Sequence, residues 1–199
     1  QIHLSKTTFC SYVDPAYANY DIILPSLSKI NRNTIAQARR NRAKKIQDAE
    51  REAGNKGFKF DDKKIDKEDL IFRVMTYDHI PLEPGRRKSP KSVADHHEKI
   101  NFPPFQHYKL DSKGVPQCVG KSHWQGGMQN GHFSKDHGRI TNELAKMYMK
   151  LCERYGTRGN WRGYTYNDEM QSQALLQLTQ IGLQFDESKS ENPFAYYTA

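Results

Sequence analysis

Residues 139–199 read RITNELAKMYMKLCERYGTRGNWRGYTYNDEMQSQALLQLTQIGLQFDESKSENPFAYYTA, and their periodicity decides the fold expected for the chain. Ile140, Leu144, Met147 and Leu151 recur at the spacing of one helical face, while Asn142, Glu143, Lys146, Lys150 and Arg154 occupy the other. After a connection containing Gly and Arg, Asn167 can cap a second helix, with Asp168 and Glu169 where the helix dipole favours negative charge. Met170, Ala174, Leu178 and Ile181 mark its buried face, leaving Glu169, Ser172, Gln173, Leu176, Gln177 and Gln180 outward. A polar stretch follows, then Asn192 as cap, Pro193 at the first helical position, and Phe194 and Tyr197 in a third helix. The expected fold is mainly α: a small C-terminal helical module, preceded by a long basic helix and irregular Pro- and Gly-rich segments.

These residues also carry a resemblance. Glu153-Arg154-Tyr155 closing an apolar helix, the acid-led helix 169–184, Phe185-Asp186-Glu187-Ser188, and Phe194-Ala195-Tyr196-Tyr197-Thr198 follow one another in the order and spacing of conserved region 2 of the sigma-70 family of transcription initiation factors. Gly163-Tyr164-Thr165 before the second helix and Asn192-Pro193 after it make the match most similar to the late-transcription sigma factors of T-even-like, cyanophage-like bacteriophages. The resemblance covers about the last third of the chain. It implies that the helix 169–184 docks on the clamp helices of the largest subunit of host core RNA polymerase, through Glu169, Ser172, Gln173, Leu176, Gln177 and Gln180. It also implies promoter DNA as a partner, a sliding clamp reached through a far C-terminus beyond this sequence, and residence in the cytoplasm of an infected bacterium. The chain departs from the bacterial pattern, which has Gln-Glu-Gly where Ser172, Gln173 and Ala174 stand. A charge-assisted contact at Gln173 thus becomes a neutral hydrogen bond, about half as strong.

The remaining sequence divides into an irregular segment (1–32), a basic helix (33–54), and an extended, loop-rich stretch (55–136) with a linker near 81–92, before the partial sigma-like module (137–199). Phe9, Tyr12, Val13, Tyr17, Tyr20, Ile22, Ile23 and Leu24 mix with Pro15 and Pro25 and show no clean period. The basic helix sets a thin apolar stripe (Ile35, Ala38, Ile46, Ala49, Ala53) against Arg39, Arg40, Arg42, Lys44 and Lys45, with Gly54 placed to stop it. Those cations can reach phosphates or project into solvent. Residues 70–77, LIFRVMTY, form the most strand-like run, and the aromatic and proline-rich INFPPFQHYKL that follows the linker suits an extended segment.

A net charge of +8 favours a polyanionic neighbour through counterion release, or simply keeps the protein in solution. With 36% hydrophobic residues and a mean hydropathy of −0.91, a large share of the chain is expected to be surface. No apolar run approaches the roughly 20 residues of a membrane span. The chain starts at Gln1 and stops within a helix, as a piece of a longer reading frame would. Cys10, Cys118 and Cys152 are odd in number and scattered, so no disulfide framework is expected. Cys118, His123, His132 and His137 bear zinc-ligating groups, but their spacings match no zinc-finger frame. His96, His97 and His107 with Asp95 offer donors for a histidine-metal nuclease, without a recognisable nucleophile and base pair. Neither catalysis, metal nor cofactor is expected. In the connection TRGNWRGY, Arg158 and Arg162 can meet a phosphate backbone, while Trp161 is expected to pack between helices, and Trp124 to plug the helical module. The expected function is a phage-encoded sigma factor directing host polymerase to late promoters. The alternatives are a basic helical nucleic-acid-binding accessory protein without polymerase contact, and the His/Cys metal-dependent nuclease.

Overall fold

The computed structural model describes residues 1–85, 88–136 and 139–198. Its elements run α1 (Ile2–Thr7), β1 (Cys10–Tyr12), β2 (Ile22–Leu24), α2 (Arg32–Glu52), β3 (Ile71–Met75), β4 (Phe105–Leu110), β5 (Pro116–Ser122), β6 (Trp124–Gln125), β7 (His132–Phe133), α3 (Asn142–Gly156), α4 (Asn167–Ile181) and α5 (Pro193–Thr198), with short 3₁₀ turns between them. The mainly helical architecture expected from the sequence is incorrect. The protein is mixed α/β, built on a five-stranded sheet of order β1-β5-β4-β3-β2, with β6 and β7 as a separate hairpin. Two strands hide in the N-terminal segment read as irregular: β1 and β2 have three residues each, too few to show a period.

β2 and β3 are parallel and every other pairing in the large sheet is antiparallel. A parallel neighbour needs a long crossover, and α2 is part of it. The long basic helix is therefore a structural layer. It begins at a capping box, where Asn31 accepts from the Thr34 amide and the Thr34 hydroxyl accepts from the Asn31 amide. It ends before Gly54, whose φ of 101° favours glycine. Ala38 and Ala43, the two fully buried positions of α2, let the helix lie close against Leu24, Phe72, Val74, Tyr108 and Leu110.

The opposite face of the sheet carries Arg73, Met75, Phe105 and His107, and it is roofed by α1 and the C-terminal helices. Register puts Arg73 opposite His107 and Met75 opposite Phe105 on this face, and Phe72 opposite Tyr108 on the α2 face. Phe9, Phe102 and Phe105 join Leu144, Tyr148 and Cys152 of α3, and Leu178 and Leu183 at the end of α4, in one core. The inward side of α3 is thus rotated from the expected stripe: Leu144, Tyr148, Cys152 and Gly156 are buried, and Met147 is 53% exposed. Gly182 accounts for part of that choice, because a Cβ there would clash with the Tyr148 hydroxyl.

One polar strap ties the helical roof to the N-terminus. The Lys6 ammonium, 1% exposed, donates to the Phe185 carbonyl at 2.5 Å and to the Glu187 carboxylate at 2.6 Å. Burial lowers the Lys6 pKa, and Glu187 opposes that shift by favouring the charged form. Ser5 reinforces the join by sharing a hydrogen bond with the Thr141 hydroxyl ahead of α3.

Within β5, Gly120 faces the Tyr12 ring and His107, and an added Cβ would stand 2.7 Å from Tyr12 Cε1 and 3.3 Å from His107 Cβ. Gly120→Ala is therefore expected to destabilise the protein by about 1–3 kcal/mol through overpacking. Urea denaturation measures it, and an unchanged midpoint would show that the β1–β5 edge is free to shift. Glu187→Ala strands the buried Lys6 charge and is expected to cost about 3 kcal/mol or more on the same measurement.

Candidate functional site

The residues expected to contact polymerase occupy one solvent face of α4. Glu169, Ser172, Gln173, Leu176, Gln177 and Gln180 are all exposed, whereas Leu178 is buried and Met170, Ala174 and Leu175 are half-buried toward α3. Leu176 stands 52% exposed amid these amides and hydroxyls. Ile181, expected inside, lies at the rim with 43% exposure, because the chain tightens into a 3₁₀ turn at Gly182. Asn167 does not cap α4. Its amide group donates to the Gly156 carbonyl at 2.8 Å and the Trp161 carbonyl at 3.1 Å, and its Oδ1 accepts from Gln171, fixing the start of α4 to the end of α3. At α5 the Asn192 carbonyl does accept from the Ala195 amide.

The cations of α2 fall into two groups. Arg42 grips Asp21 in a two-pronged pair at 2.9 and 3.0 Å, and Asp21 also accepts from the Ile71 amide, so this arginine holds α2 to the sheet. Lys45 donates to the Tyr20 carbonyl and lies over the Tyr20 ring. Arg39 is half-buried, Lys44 is exposed, and Arg40, also exposed, donates to Gln37 of its own helix. Arg158 lies 3.9 Å above the Tyr155 ring, and Arg162 is exposed. Trp161 does not pack between the helices: it is 38% exposed and meets Tyr164 edge-on. Trp124 sits on β6 under the Lys121 ammonium, away from the helical core.

The histidines expected as possible ligands are dispersed among other duties. Cys118 faces Tyr108 across β4 and β5, His123 is stacked on Phe102 beside Ser122, and His132 is exposed on β7. His137 lies outside the described residues. His97 Nδ1 lies 3.0 Å from the Ile80 carbonyl, His96 is exposed, and Asp95 accepts from the amides of Lys91 and Ser92. Among the described residues no three His, Cys, Asp or Glu side chains converge as a metal site.

Sequence reasoning missed the most unusual group in the molecule. Arg73, 1% exposed, is clamped between the rings of Tyr20 at 3.9 Å and Phe105 at 3.8 Å. Its Nε donates to His107 Nε2 at 3.0 Å and its Nη2 to His3 Nδ1 at 3.1 Å, while Nη1 is buried with no hydrogen-bond partner among the described residues. Arginine only donates, so both imidazoles must accept and must be neutral. His107 then carries its proton on Nδ1 and donates to the Tyr17 carbonyl, and His3 carries its proton on Nε2. Burial first, and the Arg73 charge second, pull His3 down to about 3 and hold His107 well below its ordinary value. A strand reading LIFRVMTY gave no sign of this, because an arginine inside an apolar run looks like an exposed edge residue.

His3 and Tyr20 also line an open groove of about 1050 Å³ between the α1–β2 side of the sheet and helices α3 and α5. Its walls carry Met147, Leu151, Tyr155 and Phe194 as well as Lys150, Arg154 and Arg158. The six α4 residues expected to meet polymerase lie elsewhere, so the groove and the α4 face are separate surfaces. Among the described residues no helix is long and apolar enough to cross a membrane.

His3, His107 and His79 share one consequence. Burial pulls His79 down to about 4, so all three stay neutral in the fold while the unfolded chain protonates them near pH 6.5. Below that pH the unfolded chain binds more protons, so stability falls as acid is added. Thermal unfolding followed from pH 7 to about 5 is expected to show a declining Tm, with a shallower decline in His79→Gln; a flat profile would contradict these burials. Compared with known families, curated proteins and solved structures, the chain matches no family model, no curated protein and no solved structure.

Proposed function

We propose that the protein is a region-2-type sigma factor of bacteriophage origin, which binds host core RNA polymerase through the outer face of α4 and directs it to late promoters. The supporting observation is the exposure of all six α4 residues together, around a Leu176 that no neighbouring element covers. An exposed leucine ringed by Gln173, Gln177 and Gln180 suits a protein groove: the apolar side chain supplies burial and the amides supply register. In this reading the protein performs no bond chemistry of its own. Promoter opening follows from contacts made only to the open duplex, which shift that equilibrium by their differential affinity.

A nucleic-acid-binding accessory role without polymerase would have to rest on Arg39, Arg40 and Lys44 of α2 with Arg158 and Arg162, since Arg42 and Lys45 are engaged with Asp21 and Tyr20. That is a sparse footprint for a helix expected to track a phosphate backbone. For the metal-dependent nuclease, no three His, Cys, Asp or Glu side chains converge among the described residues.

A pull-down with bacterial core polymerase tests the proposal. Gln173→Lys combined with Leu176→Asp is expected to weaken capture by about tenfold or more, equivalent to 1.4 kcal/mol, with helicity by circular dichroism unchanged. Undiminished capture by the double variant, or no capture of the unaltered chain, would refute the α4 assignment.

A further inference from the structure

One wall of the groove between the sheet and helices α3 and α5 is a row of cations. Lys150 and Arg154 of α3, and Arg158 just beyond it, succeed one another every fourth residue, a rise of about 6 Å per step where the chain is helical. Neither Lys150 nor Arg154 forms an ion pair among the described residues. Three acids also line the groove. Asp21 is gripped by Arg42 and Glu187 by Lys6, which leaves Glu191 alone at the exposed opposite rim. His3, one of the lining residues, accepts from the buried Arg73 at Nδ1 and so carries its proton on Nε2.

The same groove is aromatic. Phe194 is 55% exposed on α5, and Tyr155 presents a ring already stacked by Arg158. A volume of about 1050 Å³ lies just above the range of about 300–1,000 Å³ usual for small-ligand sites. A single phosphate would satisfy one cation and leave the aromatic wall bare. A peptide would answer the apolar lining and leave the row of cations unmatched. A planar base joined to a chain of phosphates answers both.

We propose that this groove binds a nucleoside polyphosphate, with the base on the Tyr155 and Phe194 side and the phosphates along Lys150, Arg154 and Arg158. The proposal is independent of polymerase docking, because no α4 side chain lines the groove.

Isothermal titration calorimetry of the full chain at physiological ionic strength tests it with ATP, GTP, inorganic tripolyphosphate and a short oligothymidylate as probes. Saturable binding of ATP or GTP is expected, weakened about tenfold or more in Lys150→Ala with Arg154→Ala, and weakened in Phe194→Ala with tripolyphosphate binding unaltered. All three side chains are exposed, and circular dichroism checks that the variants remain folded. Absence of saturable nucleotide binding overturns the proposal. So does tripolyphosphate binding as tightly as the nucleotides, which would reduce the site to charge alone. Tighter binding of oligothymidylate than of either nucleotide, abolished by the same substitutions, would overturn it in favour of a single-strand site.

Discussion

A guanidinium buried at the middle of the sheet constrains everything packed on that face. Taking a charge out of water is costly unless other groups replace its hydration, and Arg73 has no carboxylate among its contacts to do so. Two aromatic faces and two imidazole nitrogens take that role. They come from three parts of the chain: Tyr20 from the segment before β2, Phe105 and His107 from β4, and His3 from α1. Their arrangement requires α1 to lie across the sheet, although six residues of helix would not be stable alone. Once α1 is so placed, Lys6 points at Phe185 and Glu187, and the C-terminal helices acquire a polar anchor in addition to their apolar one.

The helical module is therefore not a bundle sealed on itself. Leu144, Tyr148 and Cys152 of α3 and Leu178 after them close on Phe9, Phe102 and Phe105, which belong to the sheet side. A helical hairpin that shares its core with an N-terminal sheet has fewer free surfaces than one standing alone. The outer face of α4 remains open because α3 takes its inner face and, among the described residues, no other element covers it. The groove lies beside that shared core, between α1, the start of β2, α3 and α5.

The sequence was most legible where periodicity was longest. The three C-terminal helices and α2 appear close to their expected positions, and the run 70–77 yields β3, because apolar spacing and caps such as Asn192 act locally. The sheet was not legible, for physical reasons specific to its strands. β1 and β2 are too short to alternate. β4 is buried on both faces and so does not alternate either, and its Gln106 and His107 conceal it further, since their burial depends on partners that sequence spacing cannot place. The stripe on α3 was misjudged at Met147 because Tyr148, with a polar tip, takes the inward position and finds the Tyr197 hydroxyl there. Of the α4 face the sequence specified the residues; of the groove it specified nothing, since its walls are nearly two hundred residues apart at the extremes.

Charge shows the same division between local pattern and tertiary use. A net charge of +8 reads as one property of the chain, yet the cations behave as three populations. Arg73, Lys6 and Arg42 are internal fastenings, each buried or half-buried and matched to a specific partner. Lys45 is bound to the backbone at Tyr20, and its pKa is lowered chiefly by burial. Lys150, Arg154, Arg40 and Lys44 keep their charge in solvent, and the first two of these face a concavity. A polyanion approaching this protein would meet the exposed cations, and their field is strongest where low-dielectric walls surround it. The long basic helix, which looked most like a nucleic-acid surface in the sequence, is chiefly a sheet-covering layer. The shorter basic row on α3 is the one positioned to hold an anion.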